Sequence, residues 1–307
     1  MRILFMGTPE FAVPSLRILL DHSYEVSGVV TAPDKPRGRG QQVSFTPIKD
    51  FALHHHLPIL QPEHLTDSKF VSEVQLLAPD LIVVVAYRIL PYEIYAVPKL
   101  GSFNLHASLL PKYRGAAPVH WAIMNCEKES GVTTFFLQEK VDTGSILLQA
   151  RVKIGPDETA GELHDTLSEV GAEIVLQTVR LIERGKAKPV MQNNSLACPA
   201  PKIFNHDCRI DWNKSSQRVH DFIRGLSPHP ASWTMHNSKI IKFYRTKIEQ
   251  ASPKIPGMVL QRTNSALLVG TGNGAVSIIE IQQQGKQRLG IEEFLRGYSI
   301  TEGEIFA

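Results

Sequence analysis

The first half of the chain contains short, unbroken runs of apolar residues separated by segments with helical spacing. The run at 81–86 has six consecutive branched or small apolar residues, which is typical of a strand buried on both faces of a parallel sheet. Alternation of such strands with helices predicts a Rossmann-like, doubly wound α/β domain over residues 1–188. We predict strands at 2–6, 24–30, 58–62, 81–86, 102–106 and 132–137, and helices ending near Leu20 and over 46–56, 67–77, 118–124 and 161–184.

Residues 209–307 follow a different pattern, in which short strand-like segments replace the long apolar runs. Asn273-Gly274 lies between two of these segments and is a strong hairpin signal. We predict a helical segment that begins at Arg209, followed by a small β-barrel of the oligonucleotide-binding (OB-like) type. Residues 189–208 carry several prolines and polar side chains and predict a linker between the two domains. The predicted barrel strands are 239–247, 257–261, 266–269 and 275–281.

Composition excludes several classes of protein. The three cysteines lie far apart without a Cys-x-x-Cys pair, which disfavours disulfides and zinc and favours a cytoplasmic protein. No apolar run approaches the length of a membrane span, and Gly7-Thr-Pro-Glu10 interrupts the first apolar stretch, so we expect neither a membrane segment nor a signal peptide. The Gly-x-Gly-x-x-Gly fingerprint of nicotinamide-binding proteins is missing.

Charge is unevenly distributed. The whole chain has a formal net charge of +3, but residues 209–307 hold 13 Lys or Arg and 8 Asp or Glu, a net of 13 − 8 = +5. The loop Thr31–Gly40, with two prolines and three basic side chains, is predicted to be exposed. This pattern favours a polyanionic partner, although a solvated basic surface without a partner would look the same.

Candidate chemistry lies around the predicted strand 102–106. Asn104 and His106 are two residues apart, so a strand presents both on one side, near the edge where parallel sheets bind ligands. An Asn amide can donate to an oxyanion, and a His can move a proton near neutral pH. Asp142, before a predicted tight turn at Gly144, is the nearest candidate to orient that His. Taken singly, each residue is more often a turn former or a surface side chain; together, without an activated Ser or Cys, they indicate direct acyl transfer.

A metal site is not predicted. His54, His55 and His56 are consecutive, but adjacent residues on a helix point in different directions.

Four motifs in order resemble the folate-dependent formyltransferase family: Asn104-Leu-His106, Ser108-Leu-Leu-Pro111, Gly131-Val-Thr133 and Val141-Asp-Thr-Gly144. The resemblance extends along the chain and implies 10-formyltetrahydrofolate as the formyl donor, without a metal. It also implies catalytic roles for Asn104, His106 and Asp142. The segment Tyr87-Arg-Ile-Leu-Pro91 is one residue shorter than the family's usual segment and differs from it at Arg88. The residues implied in tetrahydrofolate binding are Val85, Tyr87, Leu90, Ser108, Leu109, Leu110 and Pro111.

The same resemblance implies that the acceptor is the α-amine of initiator methionyl-tRNA, that the barrel binds tRNA, and that the protein is a monomer. A nucleotide-linked amino sugar is the alternative acceptor, and a nucleic-acid-binding protein built on an inactive transferase domain is the alternative class. The residues implied in tRNA binding are Lys35, Arg37, Arg39, Lys202, Lys242 and Arg245.

Overall fold

The structure is a computed structural model that describes residues 1–37, 42–252 and 255–307. The chain divides into two compact units. Two segments from within residues 1–188 belong to the second unit, an interleaving that the sequence did not predict; the domain boundaries at residues 188 and 209 stay predictions. The first unit comprises Met1–Gly115, Gly131–Val152 and His164–Pro199, and the second comprises Ala116–Ser130, Lys153–Leu163 and Ala200–Ala307.

A largely parallel sheet forms the centre of the first unit. Within the described residues it has seven strands in the order β5-β2-β1-β6-β7-β8-β9. The first five strands are parallel and β8 is antiparallel to β7, which confirms the predicted Rossmann-like, doubly wound α/β fold. The strands of this part of the chain, including the hairpin β3–β4, are β1 (Arg2–Gly7), β2 (Glu25–Val30), β3 (Lys35–Arg37), β4 (Gln42–Ser44), β5 (Ile59–Leu60), β6 (Leu81–Val85), β7 (Ser102–His106), β8 (Glu129–Phe136) and β9 (Ile146–Lys153).

Local capping explains where the helices start. Thr46 accepts a hydrogen bond from the amide of Lys49, and Asp67 accepts one from Lys69, as N-cap residues do. Thr159 and Glu162 form a reciprocal capping box before the long helix. The helices of this part are α1 (Val13–Asp21), α2 (Pro47–His54), α3 (Ser68–Leu77), α4 (Tyr92–Tyr95), α5 (Pro118–Met124) and α6 (Ala160–Glu183).

The two faces of the central sheet have different neighbours. Strand register places Asn104 beside Val84, on the face whose apolar residues pack with Phe70 and Val74 of α3. Leu105 points to the other face, where Gly171 of α6 comes so close that an added Cβ would lie 2.7 Å from a Leu105 methyl group. Asn104 and His106 therefore share the α3 side of the sheet.

Antiparallel strands form the second unit's sheet. Among the described residues the order is β10-β11-β14-β13-β12, and β15 also pairs with β14. Segment 304–307 closes this sheet into a barrel, because Ala307 exchanges two backbone hydrogen bonds with Met235 on β10 while the amide of Val259 on β12 donates to the carbonyl of Glu304. The predicted small C-terminal barrel is confirmed. Its elements are α7 (Ser216–Gly225), β10 (Ser232–His236), β11 (Lys239–Glu249), β12 (Val259–Arg262), β13 (Leu267–Gly270), β14 (Ala275–Gln283), β15 (Leu289–Gly290) and α8 (Ile291–Gly297).

The start of the second unit's helix differs from the prediction. Helix α7 begins at Ser216, with the Ser215 hydroxyl as N-cap, rather than at Arg209. Arg209 instead forms a β-bridge with Trp233, with the amide of Ile210 donating to the carbonyl of Trp233, and a turn at 212–213 leads into the helix. Trp212 then packs in the barrel core against Phe243 and Phe306, a burial that a helix beginning at Arg209 would not explain.

No helix in the described ranges combines the length and the apolar character that a membrane crossing requires.

Candidate functional site

Strand β7 ends with the two polar residues that the sequence singled out. Asn104 is half-buried, and within the described residues its side-chain amide forms no hydrogen bond, so both its N–H groups can be donated to a ligand. His106 is the last residue of the strand and is only 7% exposed. Both residues lie on one face at the carboxyl end of β7, where open α/β sheets bind their ligands.

The imidazole of His106 is held from two sides. Its Nε2 lies 2.8 Å from the backbone carbonyl of Tyr113. A carbonyl oxygen can only accept, so Nε2 carries a proton and donates it to Tyr113. The opposite nitrogen, Nδ1, lies 3.8 Å from Oδ2 of Asp142, which is ion-pair distance but too long for a hydrogen bond. The hydrogen bond to Tyr113 thus orients the ring, while Asp142 places a carboxylate beside Nδ1.

Asp142 lies in the turn between β8 and β9 in an unusual backbone conformation. Its φ of 55° is in the left-handed region, which costs a non-glycine residue of the order of 1–2 kcal/mol. Its Oδ2 accepts a hydrogen bond from the amide of Gly115 at 2.9 Å. Gly144 follows in the same turn, and a Cβ there would lie 1.7 Å from the carbonyl oxygen of Phe136, so only glycine fits. These contacts direct the carboxylate toward His106.

A network of buried hydrogen bonds shapes the segment Ser108–Pro111. The Thr133 hydroxyl donates to the carbonyl of Ser108 at 2.6 Å and accepts from the amide of Leu110 at 3.1 Å. The Gln149 amide donates both to the carbonyl of Leu110 and to the Thr133 hydroxyl, each at 2.9 Å. The Leu110–Pro111 peptide bond is cis. The backbone of this segment is therefore fixed by the strands β8 and β9 before any ligand arrives.

The predicted donor-binding residues differ in accessibility. Val85, Leu90, Ser108 and Leu110 are buried, so a ligand would meet mainly their backbone, whereas Tyr87, Leu109 and Pro111 are half-buried and offer side-chain surface.

Arg88 is the position at which this chain departs from the family's usual segment. Its guanidinium already donates hydrogen bonds within the protein. It donates to the backbone carbonyls of Pro62 and Glu63 and to the Tyr87 hydroxyl, at 2.7–2.8 Å. Burial raises the pKa of Tyr87, which keeps that hydroxyl protonated. Arg88 thus ties the loop after β6 to the loop after β5.

The basic loop that follows β2 is described only in part. Lys35 lies exposed on β3, and the backbone of Arg37 pairs with Gln42 of β4. Arg39 lies outside the described residues. Where the chain enters this hairpin, Asp34 forms a salt bridge with Lys49 and accepts a hydrogen bond from Gln61, and these contacts hold the pKa of Asp34 below its usual range. The predicted exposed loop therefore contains the short strand pair β3–β4, with an anchored base.

The basic residues predicted on the second unit are not equivalent. Lys202 is exposed, and its ammonium lies 5.4 Å from the centre of the exposed Phe204 ring. Lys242 lies half-buried on β11 without an ion pair among the described residues. Arg245 on the same strand forms ion pairs with Glu162 and Glu280, so its charge is largely neutralised within the protein.

Sequence reasoning missed several residues that shape this site. Tyr113 and Gly115 act through backbone atoms, which leave no signal in side-chain chemistry. Gln149 lies on β9, a strand that the prediction omitted although its outward Gln149, Arg151 and Lys153 alternate with apolar residues. Thr133 is the exception, because the Gly131-Val-Thr133 motif already contained it, although without an assigned role.

Among the described residues, no group of three His, Cys, Asp or Glu side chains is arranged to hold a metal ion.

Two family models match the chain. The model described as "Formyl transferase" matches residues 1–179, and the model described as "Formyl transferase, C-terminal domain" matches residues 202–299.

Curated relatives match over nearly the whole chain. A protein of Chlorobium luteolum named methionyl-tRNA formyltransferase is 48% identical over 314 residues, covering 99% of this chain and all of that protein. Proteins of the same name from Alkaliphilus oremlandii and Bacteroides fragilis are 44% and 43% identical, and each alignment covers at least 96% of both chains.

Solved structures share the fold at lower identity. A sugar 3N-formyl transferase, WlaRD, superposes with a TM-score of 0.69 at 22% identity, covering 94% of this chain and 99% of that one. HypX from Aquifex aeolicus, in a complex with tetrahydrofolic acid, superposes with a TM-score of 0.66 at 21% identity. This chain spans about half of the HypX chain, 51% of its length.

Proposed function

This chain belongs to the formyl transferase family, and we propose that it transfers the formyl group of 10-formyltetrahydrofolate to the α-amine of methionyl initiator tRNA. The observation that carries the proposal is the meeting of Asn104, His106 and Asp142 at one end of the sheet, with His106 and Asp142 3.8 Å apart. The names of the full-length relatives support the tRNA acceptor. The donor is supported by the ligands of two solved structures, tetrahydrofolic acid with HypX and 5-N-formyl-THF with WlaRD.

The formyl donor would lie against Ser108–Pro111. This segment is held rigid by Thr133 and Gln149, so its backbone groups can meet the flat pterin ring without further ordering. Half-buried Tyr87, Leu109 and Pro111 supply apolar contact surface. The formyl carbon is thereby presented toward Asn104 at the end of β7.

Asn104 stabilises the charge that forms during the reaction. The amine attacks the formyl carbon, a C–N bond forms, and the carbonyl oxygen becomes an oxyanion. The free amide of Asn104 donates to that oxygen, a role worth about a hundredfold to a thousandfold in rate. The α-amine has an ordinary pKa near 8, so a useful fraction is already neutral at pH 7 and needs no strong base to become a nucleophile.

His106 and Asp142 handle the protons. The tetrahedral intermediate carries an ammonium, and its proton must leave before the intermediate can collapse. Nδ1 of His106 and the Asp142 carboxylate face each other across 3.8 Å, and together they take that proton. When the bond between the formyl carbon and N10 breaks, His106 returns a proton to N10. Tetrahydrofolate therefore departs with N10 uncharged. Tyr113 keeps the ring oriented throughout.

The test measures formyl transfer from 10-formyltetrahydrofolate to charged initiator tRNA, with a nucleotide-linked amino sugar as a parallel acceptor. Turnover on the tRNA alone supports the proposal, and turnover on the sugar alone overturns the acceptor. We expect Asn104→Ala and His106→Ala each to lower kcat by at least about a hundredfold with the fold intact. Near-normal turnover by either variant, with native circular dichroism, would reject these roles.

A further inference from the structure

The catalytic carboxylate is supported by a residue from the segment that the sequence predicted to be a linker. Gln192 is half-buried, and its side-chain nitrogen donates to the backbone carbonyl of Asp142 at 2.9 Å and to that of Gly144 at 2.8 Å. Both ends of the Asp142 turn are thus bound by a single amide group. We propose that Gln192 is a positioning residue that holds Asp142 in its catalytic conformation; this inference rests on the proposed role of Asp142.

The orientation of the Gln192 amide is set by Arg114. The Arg114 guanidinium donates to Oε1 of Gln192 through Nε at 3.1 Å and through Nη2 at 2.6 Å. A guanidinium can only donate, so the atom that it faces is the oxygen, and the NH₂ group must point toward the Asp142 turn. Arg114 is itself fixed, because Nη2 also donates to Asn194 and its backbone amide donates to Cys198.

The turn needs this support because Asp142 is in the left-handed region, with φ 55°. Such a conformation persists only where neighbouring groups stabilise it. Two N–H groups from Gln192 supply hydrogen bonds that exist only when the carbonyls of Asp142 and Gly144 point the same way. Without them, the turn can relax to ordinary φ values, and the carboxylate would rotate away from His106.

Arg114 also links this support to the other side of the site. It lies between Tyr113, whose carbonyl orients His106, and Gly115, whose amide binds the Asp142 carboxylate. The two neighbours of Arg114 therefore contact one catalytic group each, and Gln192 joins Arg114 to the Asp142 turn. A displacement of about 1 Å in such a group can lower a rate about a hundredfold.

The decisive variant is Gln192→Glu. It keeps the size of the side chain and an oxygen for Arg114 but removes both N–H donors. We expect kcat to fall about tenfold to a hundredfold, with the KM for tRNA and for the folate donor changed by less than about threefold. Gln138→Ala is the matched control, because Gln138 contacts Thr143 of the same turn from the exposed side. We expect that variant to keep its activity.

A double-variant cycle separates positioning from a general loss of structure. If Gln192 acts through Asp142, adding Gln192→Glu to Asp142→Asn should lower kcat no further than about twofold, since the carboxylate it positions is already gone. An equal loss in both backgrounds, or normal kcat in Gln192→Glu alone, would overturn the proposal. Loss in Gln192→Glu beside an active Asp142→Asn enzyme would instead reject the proposed role of Asp142.

A second measurement does not depend on activity. The Gly115 amide donates to the Asp142 carboxylate, so its hydrogen exchange, followed by NMR, reports where that carboxylate lies. We expect at least about tenfold faster exchange at Gly115 in Gln192→Glu and wild-type exchange in Gln138→Ala. Unchanged protection of Gly115 in Gln192→Glu would show that Asp142 keeps its place without Gln192, whatever the enzyme's substrate.

Discussion

At the scale of single residues, the side chains with recognisable chemistry were predicted and those that hold them were not. Asn104 and His106 follow from strand alternation, and Asp142 from its place before a turn. The Tyr113 carbonyl orients His106, the Gly115 amide binds Asp142, and the buried Thr133 hydroxyl fixes the neighbouring segment Ser108–Pro111. Every residue has a backbone carbonyl and every residue except proline has a backbone amide N–H, so a sequence cannot mark the particular ones that matter.

Thr133→Val tests the hydrogen-bond network beneath Ser108–Pro111, the segment proposed to bind the formyl donor. The change keeps the side chain's shape but removes the hydroxyl, leaving the Ser108 carbonyl and the Leu110 amide without that partner. We expect a loss of about 1–3 kcal/mol in unfolding free energy and a rise in the KM for 10-formyltetrahydrofolate. Steady-state kinetics and denaturant unfolding measure the two effects.

Thr134→Val is the matched control for that change. Thr134 is equally buried, but its hydroxyl bonds with Thr178 and the amide of Leu148, away from the donor segment. We expect Thr134→Val to lower the unfolding free energy about as much as Thr133→Val does, while the KM for the formyl donor stays normal. Equal KM effects in both variants would mean that the Ser108–Pro111 network has no particular part in donor binding.

At the scale of elements, prediction succeeded where one strong local signal decided the outcome. The run 81–86 became β6, and Asn273-Gly274 became the β13–β14 turn. It failed where tertiary contacts decided: Arg209–Trp212 is not helical, because Arg209 pairs with Trp233 while Ile210 and Trp212 fill the barrel core. The edge strand β9 and the short helices α4 and α8 carry weak periodic signals and were missed.

Asp34→Ala tests whether the anchored base of the β3–β4 hairpin matters for tRNA. The Asp34 carboxylate binds Lys49 and Gln61, and Gln61 also donates to the carbonyl of Ala32, so this cluster fixes the start of the hairpin. If the hairpin binds tRNA as proposed, it must then be ordered during binding, and we expect the KM for charged tRNA to rise about threefold to tenfold. The KM for the folate donor should not change.

Asp50→Ala provides the control for charge. Asp50 lies exposed on the same helix as Lys49, and its side chain makes no hydrogen bond or ion pair among the described residues. The substitution removes the same charge without touching the hairpin. If Asp50→Ala raised the tRNA KM as much as Asp34→Ala, the effect would be one of net charge and not of anchoring.

At the scale of the whole molecule, a buried histidine makes the second unit sensitive to acid. His220 is 1% exposed; its Nε2 donates to the carbonyl of Pro156, and Nδ1 bonds with the Thr246 hydroxyl. Burial lowers the pKa of His220 below its usual 6.5, with Arg224 acting in the same direction and Asp221 and Asp157 opposing. The unfolded chain therefore binds a proton at a higher pH than the folded chain does, and stability is lost as the pH falls below 6.5.

His220→Gln removes this titration. All three tryptophans of the chain, Trp121, Trp212 and Trp233, belong to the second unit, so their fluorescence reports its unfolding alone. The stability advantage of wild type over His220→Gln should shrink as the pH is lowered from 7.5 to 5.5. A difference that stays constant over this range would mean that His220 does not titrate between the folded and unfolded states.

The last prediction concerns two cations on strand β11. We expect their removal to affect the salt dependence of tRNA binding differently. Lys242 is unpaired among the described residues and Arg245 is bound by Glu162 and Glu280, although the sequence alone assigned both to tRNA. A cation that contacts a phosphate releases counterions on binding, so Lys242→Ala should weaken tRNA binding and reduce the slope of log K against log salt by about 0.9. Arg245→Ala removes a charge that the protein has already neutralised, so we expect little change in that slope.

Filter binding of tRNA from low to high salt measures the slopes of both variants. The same loss of slope in both variants would show that tRNA displaces Glu162 and Glu280 from Arg245, and a normal slope in Lys242→Ala would remove β11 from the predicted tRNA surface.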